Sequence, residues 1–144
     1  MDQPSDFDLK QFLPYLLNQA AEATSLAFQQ HYKDRYGMLR TEWRVLFHLG
    51  RYGTLNAREI CDRAQLHKTK VSRAVSALET KRYLSRATSQ QDRRNELLTL
   101  TKSGEAVFRD LIVAARRFDE SLAARFSADE VAVLRKCLGR ISQL

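Results

Sequence analysis

The sequence predicts a mainly α fold carrying one short β-hairpin, and three observations predict it. Apolar residues recur at three- and four-residue spacing through most of the chain, the rhythm of amphipathic helices. Two short runs, residues 84–88 and 96–100, read instead as strands, with Leu98 and Leu100 alternating inward as in a half-buried hairpin. Between the two rhythms lies the charge. Residues 63–94 hold nine Lys and Arg against two acids, a surplus of +7 that equals the formal net charge of all 144 residues. In the rest of the chain basic and acidic side chains cancel, so one basic segment rides on a body of no net charge, the electrostatic footprint of a polyanion binder.

Length and composition narrow the classes. A chain of 144 residues fits one domain and can bury a real core. Its acidic start (Asp2, Asp6, Asp8) is wrong for a secretory leader, and no charge-free apolar run reaches the ~18 residues of a membrane span. The expectation is a cytoplasmic protein with no membrane partner. Cys61 and Cys137 lack CxxC or Cys/His metal spacing and read as buried small hydrophobes. His31, His48 and His67 fall on different elements, and neither a Gly-rich phosphate loop nor a nucleophile–base spacing is present. No catalytic residue, metal site or cofactor is therefore expected, and the chain does not read as an enzyme.

Residues 7–36 form the first helix, with Pro14 in its first full turn and a short irregular turn ahead of it. Leu16, Leu17, Ala20, Ala21, Ala23, Ala27 and Phe28 make its apolar side too broad for one neighbour. Gly37 ends it. Thr41 caps a second helix over 42–52, whose Trp43, Val45, Leu46, Phe47 and Leu49 face the core, and Gly53 stops it. Asn56 and Glu59 have capping-box spacing and open a short third helix to Ala64. Residues 68–82 form the fourth, the hairpin follows, and helix resumes over 102–125. Ser127 and Glu130 make a second capping box for the last helix. There Val131, Leu134, Leu138 and Ile141 recur at spacings of 3, 4 and 3, the narrow seam of a helix that packs on a partner.

The fourth helix carries the chemistry. On a wheel of ~3.6 residues per turn, Val71, Val75, Leu78 and Arg82 share one side, with Ala74 beside them. Thr69, Ser72, Arg73, Ser76 and Thr80 fall opposite, with Lys70 and Lys81 on one flank and Lys68 on the other. A face built only for solubility would mix Glu with Lys at i,i+4. Small hydroxyls instead let a helix approach a groove closely, Arg binds guanine bidentately, and Lys meets phosphate. Bases would be read by Lys70, Ser72, Arg73 and Ser76, and phosphates held by Lys68, Lys81 and the helix starts near Thr41 and Asn56. A helix pair joined at 65–67 and followed by a hairpin with Arg93 and Arg94 near its tip is a winged helix-turn-helix. An Arg pair on a thin loop suits a narrow, electronegative minor groove. The competing reading is a winged-helix module that binds protein or RNA without operator specificity; it does not need the hydroxyl face together with an Arg-tipped wing.

The stretch HKTKVSRAVSALETKRYLSRATSQQDRRNELLTLTKSG, with EWRVL in an earlier helix, resembles the multiple antibiotic resistance regulator (MarR) family. The parts that carry the resemblance are VSRAVSALE on the helix, DRR in the wing and LTLTKSG at the wing exit. The resemblance implies a single MarR-type domain over 1–144, with a winged-helix lobe at about 38–100, a two-stranded wing, and long dimerisation helices at about 7–36 and 102–144. It implies a homodimer on a pseudo-palindromic double-stranded operator, often a repressor released by a small ligand or by oxidation. Asp92 would brace the wing, Arg94 enter the minor groove and Arg73 lie on the recognition helix. It further implies a pocket for a small effector, frequently an aromatic acid, for which Tyr15, Trp43, Phe47, His48 and Phe108 are candidates. The first helix has no Lys or Arg between Gln11 and Gln30, so an anionic ligand would turn to Arg44 or Arg109. Nor has that helix the reactive Cys of the peroxide-sensing branch. Two positions depart from the family: Arg82 stands where a helix-ending glycine is usual, and His67 where a Ser, Thr or Asp cap is usual.

Overall fold

A computed structural model describes residues 6–88 and 95–143. The chain divides into two compact units, Met1–Phe108 and Arg109–Leu144.

The first unit begins with a 3-10 turn, Leu9–Gln11, and the long helix α1, Leu13–Tyr36, with Pro14 in its first turn, where a missing N–H costs nothing. Gly37 closes it in the left-handed region at φ 63°. Helix α2, Arg40–Tyr52, starts earlier than the Thr41 cap predicts. Its N-cap is Leu39, whose side chain has no acceptor. The end is closed by Glu42, whose Oε2 accepts the Leu39 N–H at 3.0 Å, so an acid inside the first turn replaces the cap outside it.

Strand β1, Leu55–Asn56, precedes α3, Ala57–Ala64, and α4, Lys68–Thr80. Strands β2, Leu84–Thr88, and β3, Glu96–Leu100, occupy the predicted positions. The sheet has three strands, not only the two of the hairpin: its order is β1-β3-β2, all antiparallel, with Leu55 opposite Leu98 and Leu84 opposite Leu100. Loop 89–94, with Asp92, Arg93 and Arg94, lies outside the described residues.

Helix α4 stops two residues short of the predicted end. Lys81 caps it, and Arg82 takes the left-handed conformation at φ 63° in place of the usual glycine. Arg82 is therefore off the helix and exposed, not beside the buried stripe. What holds the turn is the start of α5, Lys102–Ala123. The Thr101 hydroxyl donates to the Arg82 carbonyl at 2.7 Å, and Thr101 N–H donates to the Tyr83 carbonyl at 3.0 Å. The same hydroxyl accepts the Gly104 N–H at 3.0 Å, capping α5. A Cβ on Gly104 would fall 1.9 Å from the Tyr83 oxygen, so the LTLTKSG run is the sequence of a backbone crossing.

Under this junction lies the core. Val45, Leu46 and Leu49 of α2, Ile60 of α3, Val71, Ala74, Val75 and Leu78 of α4, and Leu84, Leu98 and Leu100 of the hairpin are buried. Met38 and Tyr32 are buried too.

In the second unit, Ser127 opens α6, Ala128–Ile141, through the predicted capping box: Ser127 Oγ accepts the Glu130 N–H at 3.1 Å and Glu130 Oε1 the Ser127 N–H at 3.0 Å. Arg135 Nη2 lies 2.9 Å from Asp119 Oδ2 on the last turns of α5. No residue of α6 is buried. Of the two cysteines read as buried hydrophobes, Cys61 is half-buried and Cys137 is exposed, because the helix that carries it has an uncovered surface. No helix among the described residues is long and apolar enough to cross a membrane.

Candidate nucleic-acid interface

The helix-turn-helix is built by its caps. Asn56 Oδ1 accepts the Glu59 N–H at 2.8 Å and starts α3, and Gln65, left-handed at φ 53°, ends it. The chain then turns directly into α4. His67 does the work of the missing Ser or Thr: its Nδ1 accepts the Thr69 N–H at 3.2 Å. The apolar stripe Val71, Ala74, Val75 and Leu78 faces inward, and Lys68, Thr69, Lys70, Ser72, Arg73 and Ser76 are all exposed on the other side. An outer surface of short hydroxyls and long cations therefore projects from a rigidly seated helix.

Beside it, the start of α3, the flank of α4 and the hairpin enclose a cleft of about 590 Å³. Arg58, Lys68, Ser72, Arg86 and Glu96 line it, with Asn56 at its edge. Arg58, Arg86, Asn95 and Glu96 are additions to the sequence-derived set. Glu96 lies two residues beyond the basic stretch 63–94, so a charge sum over that stretch does not include it.

Two of the counted cations are paired with acids of the chain itself. Lys81, read as a phosphate contact, has its Nζ 3.0 Å from Glu42 Oε1. Glu42 is 3% exposed and is the only buried charged residue among those described. One carboxylate thus caps α2 with one oxygen and holds the end of α4 with the other. A buried carboxylate left without its cation is costly, so Lys81 has a task inside the protein. Arg86 is held by Glu79, Glu96 and Ser76, at 3.1, 3.0 and 3.2 Å. The hydrogen bond to Glu96 raises its pKa further above the ordinary guanidinium value, so it stays charged throughout. No sequence signal pairs Lys81 with Glu42, 39 residues away; Glu79 and Arg86 lie closer, but on different elements.

A second cavity, of about 300 Å³, opens between α1 and α2 and is lined by Ser25, Phe28, Tyr32, Arg40, Trp43 and Arg44, with Ala21. Trp43 stacks on Tyr32 at 6.1 Å with 12° between planes and meets Phe28 at 5.6 Å. Of the five pocket residues chosen from sequence, Trp43 lines this cavity. Phe47 touches Trp43 at 5.6 Å, and its other ring neighbours are His48 and Phe108. Tyr15 is half-buried in the first turn of α1 and is not a lining residue. Ala21, Ser25, Phe28, Tyr32 and Arg40 are the lining residues that sequence missed. Arg40 Nη1 and Nη2 each lie 3.2 Å from an oxygen of Glu22. Arg44 donates to the Ala64 carbonyl. Among the described residues no cluster of metal-ligating side chains occurs.

A helix-turn-helix with an exposed hydroxyl-and-cation helix and a hairpin beside it defines a winged-helix regulator of the DNA-binding type. Comparison narrows the class. The MarR family model matches residues 36–95. The uncharacterised HTH-type transcriptional regulator YwoH of Bacillus subtilis is 25% identical over 118 residues, 82% of this chain and 85% of its own. The PcaV transcriptional regulator of Streptomyces coelicolor, solved in complex with its natural ligand, superposes with a TM-score of 0.82 at 26% identity, covering 99% of this chain and 98% of that one. MepR of S. aureus, solved as a DNA complex, has the same fold, with a TM-score of 0.82 at 19% identity over 92% of this chain and 98% of its own. Residues 36–95 thus carry the pattern of the MarR family of transcription regulators, and the chain as a whole has the fold of PcaV. These relatives are regulators, not enzymes.

Proposed function

We propose that the chain is a homodimeric repressor that binds a pseudo-palindromic double-stranded operator and leaves it when a small aromatic acid is bound. The observation that carries this reading is the outer face of α4, on which Lys68, Thr69, Lys70, Ser72, Arg73 and Ser76 are exposed together. Two copies would set two such helices into successive major grooves, about 10 bp apart. Arg73, with Lys70 and Ser72, reads bases; Lys68 and the start of α3 near Asn56 hold phosphate. From their place between β2 and β3, Arg93 and Arg94 are assigned to the minor groove and Asp92 to bracing the loop. The exposed seam of α6 and the exposed leucines of α1 support the dimer. On this reading the whole chain is one MarR-type unit, with dimerisation helices at about 7–36 and 102–144, and works in the cytoplasm.

The cavity between α1 and α2 is the effector site. Its rings suit a flat aromatic body, and Arg40 and Arg44 suit a carboxylate. An incoming acid would compete with Glu22 for Arg40.

Selection of bound sequences from a random duplex pool tests the reading, followed by release with a panel of monocyclic aromatic acids. The expected product is an inverted repeat. If each dimer neutralises about 6–10 phosphates, affinity falls about 10³–10⁵-fold between about 50 and 200 mM salt. A flat salt response, or no enriched sequence, would remove DNA as the partner.

A further inference from the structure

Arg86 counts among the nine cations of the basic stretch, yet its charge is met by two acids of the chain at the surface. Its guanidinium is a planar fork with donors on three nitrogens. Nε lies 3.1 Å from Glu79 Oε2, Nη1 3.0 Å from Glu96 Oε2, and Nη2 3.2 Å from Ser76 Oγ. Ser76 and Glu79 are three residues apart on α4, hence neighbours on one face. Arg86 stands mid-strand in β2, and Glu96 opens β3. One side chain therefore ties the recognition helix to both strands of the hairpin. The cluster holds two carboxylates and one guanidinium, so it offers a polyanion no net positive charge.

We propose that Arg86 is a positioning residue for DNA reading: by holding Ser76 and Glu79 to Glu96 it fixes the angle between recognition helix and wing, and it takes Ser76 out of base readout. The role rests on the DNA reading above. Helix and wing must enter neighbouring grooves at once. A five-residue strand is an arm of about 16 Å, so a tilt of about 10° moves its tip by about 3 Å, more than a hydrogen bond tolerates. Lysine cannot take the place of Arg86, because a single ammonium on a flexible stem does not span three partners in fixed directions.

The test compares wild type with Arg86→Lys, Arg86→Gln, the neutral triple variant Glu79→Gln/Arg86→Gln/Glu96→Gln, and Ser76→Ala. Each is used for selection from the random duplex pool and for titration of the wild-type operator. Arg86→Lys should fold, bind about tenfold more weakly, and select sites whose A·T-rich flank no longer keeps a fixed distance from the base pairs read by the helix. The triple variant should not recover. Ser76→Ala removes one of the three contacts and should keep the wild-type base preference while loosening the flank spacing, so it stands in for the brace variants if they fail to fold. Recovery of both affinity and flank spacing in the triple variant would reduce Arg86 to a charge neutraliser and overturn the proposal. So would Arg86 variants within twofold of wild type with unchanged spacing, a wild-type selection lacking any flank preference, or a base preference lost in Ser76→Ala. If wild type enriches no sequence, the DNA reading itself has failed, and that result is visible in the wild-type arm alone.

Discussion

Helices α4 and α6 are written in nearly the same pattern and end in opposite environments. In α4 the stripe Val71, Ala74, Val75, Leu78 is between 0% and 3% exposed. In α6 the stripe Val131, Leu134, Leu138, Ile141 has only its first member half-buried, and the other three are 48%, 40% and 38% exposed. Both helices are properly capped, so the contrast does not arise from a poorly formed element. It arises from closure. The winged-helix lobe supplies its own cover for α4 from α2, α3 and the hairpin. The second unit leaves three large aliphatic side chains in line on one helix, an arrangement that a folded chain seldom exposes without a partner. Leu13, Leu16 and Leu26 of α1, exposed by 65%, 41% and 54%, repeat the pattern at the other end of the sequence. A lobe that is finished and terminal helices that are not is the division of labour expected when one part reads DNA and the other pairs with a second copy.

The most severe way to break the comparison is at α6. Leu138→Glu places a charge in the middle of the seam. If the seam meets a partner copy, the charge must be desolvated there, and the dimer is lost. Losing the second recognition helix removes the avidity of the pair, about 10²–10⁴-fold in operator affinity. Sedimentation and operator titration of the same sample decide it. A folded monomer that still binds the operator at full strength would mean that α6 has no part in assembly, and the contrast with α4 would lose its meaning.

The next test strikes the finished lobe. Gly104 sits where α5 crosses the end of the recognition helix, and Gly104→Ala drives a methyl group to 1.9 Å from the Tyr83 carbonyl oxygen. Because the obstacle is backbone, no rotamer change relieves it. A cost of about 3 kcal/mol is expected, a fall in Tm of roughly 6–12 °C for a chain of this size. The same substitution at Gly139 of α6 meets nothing within 4 Å and should be silent or slightly stabilising in the monomer. Equal melting of the two variants would show that the junction is looser than its hydrogen bonds indicate.

How much of this was legible in one dimension follows from the range of the forces involved. The hairpin ends, the capping boxes at Asn56 and Ser127, and the buried stripe of α4 are local patterns, and each was readable. The start of α2 was misplaced because Leu39 is an implausible cap by residue type; the acceptor comes from Glu42 inside the helix. The end of α4 was misplaced because Arg82 adopts a left-handed turn that its side chain disfavours and that Thr101, 19 residues later, holds in place. Strand β1 has two residues and no alternation to detect; it exists because β3 offers it an edge. The largest misreading concerns charge. Lys81 and Arg86 counted toward a +7 surface, and Glu42 and Glu96, both outside the counted segment, pair with them; Glu79, inside it, holds Arg86 as well. A sum of signs along a segment cannot see an acid that the fold brings to it. The aromatic pocket was half legible for the same reason: Trp43 announced itself, whereas Arg40 matters only because α1 brings Glu22 and Tyr32 to it.

The smallest effect tests that last point. Glu22 on α1 faces Arg40 on α2 through two contacts of 3.2 Å, and the hydrogen bonds from Arg40 lower its carboxyl pKa below the ordinary value of 4.5. The sign follows from linkage: a carboxyl whose folded pKa is depressed favours the paired form above its unfolded value. That contribution fades as pH falls through the lowered folded pKa. Above the ordinary carboxylate range, then, Arg40 is engaged; in more acidic solution Glu22 takes up its proton and Arg40 is left to the cavity. Glu22 is exposed, so global stability is a poor readout. A site-resolved titration of the Glu22 carboxyl carbon by NMR is a direct one. Its midpoint should lie lower in wild type than in Arg40→Gln, where the carboxyl returns toward its ordinary range. Glu22→Gln gives the complementary result, freeing Arg40 at neutral pH and strengthening the binding of any aromatic carboxylate that releases the operator. Identical Glu22 midpoints with and without the Arg40 guanidinium would show that the pair is not formed in solution. The tie between the open first helix and the closed lobe would then rest on ring contacts such as Phe28 and Tyr32 with Trp43, and Tyr36 with Tyr83.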